Sequence, residues 1–91
     1  MPCNSTRDEI SDIVIDTLNQ VLKEENITEE SELEADLGLD KKARELLFFP
    51  IEKSVIKVGC KFKKFTTATC GKAKDVGQIV NAIAKDFNVQ A

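Results

Sequence analysis

Apolar positions in this chain keep a helical rhythm in three places and lose it in two. Ile10, Ile13, Val14, Thr17, Leu18, Val21 and Leu22 recur at spacings of three and four, with mostly Asp, Glu, Asn, Gln and Lys between them. That pattern predicts an amphipathic helix over about residues 6–24. The Ser5-x-x-Asp8 sequence marks its start as a variant capping box. Residues 25–40 then read as a long acidic loop. Ile27, Leu33, Leu37 and Leu39 stand out as isolated apolar pins, and Gly38 suits a turn of positive φ.

Asp40 is placed to cap a second helix that opens at Lys41. Ala43, Leu47, Ile51 and Val55 form a stripe at spacing four, widened by Leu46, Phe48 and Phe49, which predicts a helix over about 41–56. Pro50 interrupts it, because a proline ring collides with the carbonyl four residues back and supplies no N–H. The helix therefore ends near Phe49 or kinks there; continuation of the stripe to Val55 and Ile56 favours the kink. Adjacent residues point about 100° apart, so one of Phe48 and Phe49 is expected in the core and the other partly exposed.

Residues 57–74 are irregular and basic. Val58, Cys60 and Phe62 alternate as in an extended segment, while a short helical turn within Lys64–Cys70 is equally allowed. Asp75 and Gln78 then announce a final capping box, followed by Val76, Ile79, Val80, Ile83, Ala84 and Phe87 on one face of a helix over about 76–87. The sum is a single all-α domain, a small bundle of three to four helices with a long first loop.

Composition agrees with that picture. Ninety-one residues are just enough for one core, and 42% hydrophobic with 32% charged is ordinary for a folded chain. No apolar run reaches the ~18–20 residues of a membrane span. The N-terminus lacks the basic-then-apolar build of a signal peptide, so a cytoplasmic location is expected. Charge is sharply divided: residues 1–40 carry twelve acidic and two basic residues, residues 41–91 four acidic and eleven basic. Such halves neutralise one another by packing or leave faces of opposite sign.

There is no histidine, which removes the commonest general base and makes a zinc site improbable. Cys3, Cys60 and Cys70 form no CxxC pair and are expected as free thiols, a Cys60–Cys70 bridge being the alternative. No catalytic constellation, metal site or cofactor site is evident. An enzyme is not expected, although lysines close to Cys60 or Cys70 would lower a thiol pKa.

The run Ile27-Thr28-Glu29-Glu30-Ser31-Glu32-Leu33-Glu34-Ala35-Asp36-Leu37-Gly38-Leu39-Asp40 resembles the loop between helices I and II of acyl carrier proteins. In that family Asp-Leu-Gly-x-Asp-Ser-Leu opens helix II, and Asp36-Leu37-Gly38-Leu39-Asp40 matches its first five positions. The first and last helices resemble that family's helices I and IV, so the likeness covers about three quarters of the chain. Where the family's serine carries 4′-phosphopantetheine, this chain has Lys41, followed by Lys42. An amine cannot form that phosphodiester. Ser31 and Ser54, the nearest serines, do not sit at a helix start behind an acidic cap. The segment before Asp75 is also several residues longer than in the family.

The resemblance implies an acyl-carrier-like, non-enzymatic protein that has lost its attachment site. Such a protein would dock on a partner, for instance an enzyme of acyl metabolism such as fatty acid or polyketide synthesis, or hold an acyl or other anionic ligand noncovalently. Helix II of the family is acidic, whereas here it begins Lys41-Lys42-Ala43-Arg44, against the helix dipole. Lys41, Lys42 and Arg44 are therefore candidates for an anion or partner site, with Phe49 as an aromatic anchor. The competing reading is an unrelated helical module that binds acidic partners or nucleic acid through residues 57–74. An acidic overall charge and the lack of a stacking platform make nucleic acid the weaker choice. A monomer is expected.

Overall fold

A computed structural model describes residues 5–88 and shows an all-α bundle. Its helices are α1 (Arg7–Leu22), α2 (Lys41–Leu46), α3 (Phe48–Lys57), α4 (Thr67–Lys72) and α5 (Val76–Asp86). With α2 and α3 taken as one broken helix, four helical pieces remain, within the three to four expected. α1 packs along α5 and α3, while α2 lies chiefly on α4.

The first helix starts one residue later than its signal. Thr6, not Ser5, is the N-cap. Its hydroxyl accepts from the Glu9 N–H at 3.2 Å, and the Glu9 carboxylate accepts from the Thr6 N–H at 2.9 Å. Lys23 then turns left-handed, with φ 54°, and Asn26 repeats the move at φ 67°. Those two turns end the helix at Leu22, two residues short of expectation.

The break in the second helix falls at Leu47, not at Phe49 or Pro50. Its physical reason is the proline ring, which cannot lie against the carbonyl of Leu46, four residues back. The chain yields one turn earlier, where the Leu47 N–H reaches Arg44 O at 3.2 Å in a tighter turn. Pro50 thereby occupies the first turn of α3, where its missing N–H has no intrahelical bond to lose. The buried series Leu47, Ile51 and Val55 runs through the break unaltered.

Within 57–74, residues 58–59 form a turn and 60–62 are neither helix nor strand, while the short helix forms slightly later than Lys64–Cys70, as α4. Thr66 and Thr69 close a reciprocal capping box at the head of α4. Before it the chain turns at Gly59, with φ 86°. The Gln78 side chain receives the Lys74 N–H at 2.7 Å rather than that of Asp75, while Asp75 caps α5 by accepting from Gln78 N at 2.9 Å.

The core is aliphatic. Ile10, Val14 and Leu18 of α1 meet Ile51 and Val55 of α3 and Val76, Ile79, Val80 and Ile83 of α5, each no more than 1% exposed. The aromatic residues gather at one end. Phe48 packs on Phe62 and Phe65, Phe62 stacks on Phe87 with ring centres 5.6 Å apart, and Phe49 meets only the edge of Phe48.

The long loop is held down firmly. Leu33 is fully buried and Ile27 nearly so. Leu33 N–H donates to Lys74 O, Val76 N–H to Ser31 O and Gly77 N–H to Glu29 O, so the loop is strapped to the head of α5. Arg7 adds a clamp, pairing with both carboxylate oxygens of Glu29 at 2.6 and 3.0 Å and with the Asn81 side-chain oxygen at 2.7 Å. The Ser11 hydroxyl donates to Glu29 at 2.8 Å.

Cys70 is a buried free thiol, so the Cys60–Cys70 bridge does not form. Burial pushes its pKa up to about 12, which keeps it a thiol and removes it as a nucleophile. Cys60 is disulfide-bonded instead of free, and Cys3 lies outside the described residues. No helix among the described residues is long and apolar enough to cross a membrane.

Candidate partner-binding surface

Each residue of the Asp36–Asp40 run has a local task. The Asp36 carboxylate accepts from Glu32 N at 2.8 Å and closes the loop's own turn. Leu37 and Leu39 are half-buried pins packed against the core. Gly38 takes φ 69°, a left-handed conformation that side chains resist. The Asp40 carboxylate accepts from Ala43 N at 2.8 Å and caps α2. The chain therefore delivers residue 41 to the first position of a capped helix, exposed to solvent.

The four candidate residues do not form one cluster. Lys41 and Lys42 are exposed, and among the described residues neither has a side-chain hydrogen bond or ion pair. Arg44 behaves otherwise. Its guanidinium turns inward, donating to Leu39 O at 3.0 Å and Gly71 O at 3.2 Å, and its side chain is only 14% exposed. A third bond, to the Glu34 carboxylate at 3.1 Å, reaches a side chain that is 78% exposed. Arg44 is thus a structural cross-tie between the loop, α2 and α4. As an anion-site residue it is already spent.

Phe49 is 55% exposed, as a docking anchor requires. It has company that the sequence reading assigned to the core. Leu46 is 54% and Ile56 is 56% exposed, and they flank Phe49 at spacings of three and seven. Lys42, Lys53 and Lys57, all exposed, complete the same series. Within α3, at about 100° per residue, Phe49, Lys53, Ile56 and Lys57 project away from the buried Ile51 and Val55, while Lys42 and Leu46 are exposed on α2, just before the break. The signal was present as a second helical series, 42-46-49-53-56. It was absorbed into the core stripe because apolar residues beside a core series widen it by default.

This outer ridge of α2–α3 combines three large apolar side chains with three lysines. Scattered single hydrophobics on a surface need no explanation, but a helical row of three does. Lysine stems lie along such apolar surface while their ammonium groups stay in water. Exposed apolar side chains interleaved with cations are a candidate protein-contact surface. Among the described residues, no three His, Cys, Asp or Glu side chains are grouped to hold a metal ion.

No family model matches the chain, and neither the curated proteins nor the solved structures give a match.

Proposed function

We propose that this chain is an acyl-carrier-like adaptor that has lost the prosthetic-group site and works by docking its α2–α3 ridge on a protein partner with an acidic rim. The observation that carries the reading is the ridge itself: Leu46, Phe49 and Ile56, each more than half exposed, interleaved with Lys42, Lys53 and Lys57. The order of elements supports the carrier likeness. A long first helix is followed by a pinned loop, an Asp-capped second helix, a short helix and a final long one. The residue at the attachment position does not fit 4′-phosphopantetheine, since the Lys41 ammonium offers no hydroxyl for a phosphodiester. No step of the proposed function passes through that group.

Docking is favoured over a noncovalent acyl or anionic ligand at the same turn, because Arg44 is withdrawn from that turn by its own carbonyl bonds. What is left is two exposed lysines beside exposed apolar side chains. Charge complementarity then selects the partner: a surface with acidic residues around an apolar centre. Possible partners include an enzyme of acyl metabolism.

Two measurements test the reading. Intact mass after co-expression with a phosphopantetheinyl transferase should show no added arm; a pantetheinylated form would overturn the lost-site claim. Immobilised wild-type protein and a Leu46→Ser/Phe49→Ser variant of unchanged melting temperature are then compared against extract from the native host. Acidic-faced proteins held by the wild type, released by salt and absent from the variant support docking. An identical retained set, or self-association of the wild type through this ridge in sedimentation, refutes it.

A further inference from the structure

A second feature lies away from the ridge, between the segment at 63–65, α4 and the end of α5. Here a cleft of about 570 Å³ is lined by Lys63, Lys64, Phe65, Thr69, Ala82, Lys85, Asp86 and Asn88. That volume lies within the ~300–1,000 Å³ range of sites for small organic ligands.

The lining divides by chemistry. Phe65 is 4% exposed and packs against both Phe48 and Phe62, so the apolar wall is backed by the aromatic cluster. Ala82 adds a second apolar surface from α5. Three lysines stand around it, all exposed. Among the described residues none of the three has a side-chain hydrogen bond or ion pair.

Asp86 is the one acid in the lining, and it is occupied. Its two carboxylate oxygens accept the backbone N–H groups of Lys63 at 2.8 Å and Lys64 at 2.7 Å. Those bonds fix the basic segment to the end of α5 and so build the cleft. They also direct the carboxylate at backbone donors rather than at the lysine ammonium groups. Three cations around an apolar wall therefore face solvent with one internally engaged anion among them.

We infer that this cleft binds a small amphipathic anion: an apolar body against Phe65 and Ala82, with a phosphate or carboxylate held by Lys63, Lys64 and Lys85. The site is independent of the ridge and of the docking reading. Its ligand need not be covalently attached, and recognition rests on apolar contact plus charge, with the Thr69 hydroxyl close by as a further polar group.

The test uses 1-naphthyl phosphate and octanoate as anionic probes and 1-naphthol as a neutral control, titrated into the full chain and followed by amide chemical shifts. Expected are saturable shifts at Phe65, Thr69, Ala82 and Lys85, with the anions binding more tightly than naphthol. Phosphate and carboxylate are separated by their relative affinities. Lys64→Glu and Lys85→Glu should each weaken anion binding about tenfold, since each reverses one charge at the site. Lys64→Gln and Lys85→Gln should weaken it less, which guards against a folding defect in the charge-reversed forms. Shifts confined to residues 42–56, equal affinity for naphthol, or no saturable change at millimolar probe would each overturn the inference.

Discussion

Arg44 offers the sharpest division between a structural and a ligand-binding lysine–arginine cluster. Replacing it by alanine removes bonds to Leu39 O and Gly71 O, at 3.0 and 3.2 Å, together with the link to Glu34. A hydrogen bond to a charged donor contributes about 1.5–3 kcal/mol, and a buried carbonyl left without a donor costs a similar amount. Gly71 is buried and Leu39 only half so, and water can reach the second carbonyl in part. The Glu34 pair, with its acid 78% exposed, adds little. The expected loss for Arg44→Ala is therefore about 2–4 kcal/mol, a large part of the 5–15 kcal/mol that holds a domain together. In a domain of this size that is a fall in melting temperature of roughly 10–25 °C.

Urea unfolding followed by circular dichroism reads this directly, with Glu34→Gln and Lys42→Ala as controls. Both controls should stay within about 0.5 kcal/mol of the parent, as exposed substitutions do. Arg44→Lys should fall between, since an ammonium can reach one carbonyl but not span both. If Arg44→Ala costs no more than Lys42→Ala, the guanidinium is not a cross-tie. Arg44 would then return to the group of solvent-facing cations.

Three further outcomes follow from the packing. Glu29 is held below the usual carboxylate range, first by its hydrogen bonds from Arg7 and then by that from Ser11. A depressed folded pKa contributes stability that is present above the unfolded value of about 4.3 and lost as pH falls through the folded one. The melting-temperature gap between wild type and Glu29→Gln should thus be widest near neutral pH and close in acid, and a gap constant with pH would refute the clamp. At Gly71 an added Cβ would come within 2.7 Å of Glu45 Cγ, so the Glu45 side chain would have to leave its place against α4. Gly71→Ala should destabilise, and Glu45→Ala should rescue it with a coupling of about 1 kcal/mol or more in a double-mutant cycle; strict additivity would disprove the contact. Finally, Lys41→Gln/Lys42→Gln removes two cations from a helix start and should raise stability by about 0.5–2 kcal/mol in thermal or urea unfolding, whereas a loss would mean that the lysines support the fold.

How far the sequence could be read depended on whether a residue's role was local. Asp40 and Asp75 announced their caps, because a cap is decided within three residues. Ile27 and Leu33 were legible as pins, since an isolated apolar residue in an acidic loop has few other uses. Pro50 signalled a disturbance but not its position. The ring acts on the carbonyl four residues back, and which turn yields is settled by what keeps Leu47, Ile51 and Val55 buried. Long-range partners were invisible. Nothing near Arg44 tells of Gly71 O on another helix, and nothing near Asp86 tells that it will receive two amide groups from residues more than twenty positions earlier. The cleft between them could only be seen once α5 lay beside the basic segment.

The charge asymmetry of the chain acquires a different meaning once these roles are separated. Twelve acids in the first forty residues left open either neutralisation of the basic half by packing or faces of opposite sign. Yet among the described residues only Arg7–Glu29 and Arg44–Glu34 form ion pairs, and only one of those links the two halves. The acids are instead used as local devices: Glu9, Asp36 and Asp40 accept backbone N–H groups, and Glu29 holds a clamp. Lysines of the second half are therefore left without ion pairs, among them Lys42, Lys53 and Lys57 on α2 and α3 and Lys63, Lys64 and Lys85 around the Phe65 cleft. Lysines at Lys41 and Lys42 oppose the dipole of the helix they begin, and the fold gains no bond from either. A stability argument alone would replace them, and the docking role proposed for this basic, apolar edge would account for a helix that starts with the wrong charge.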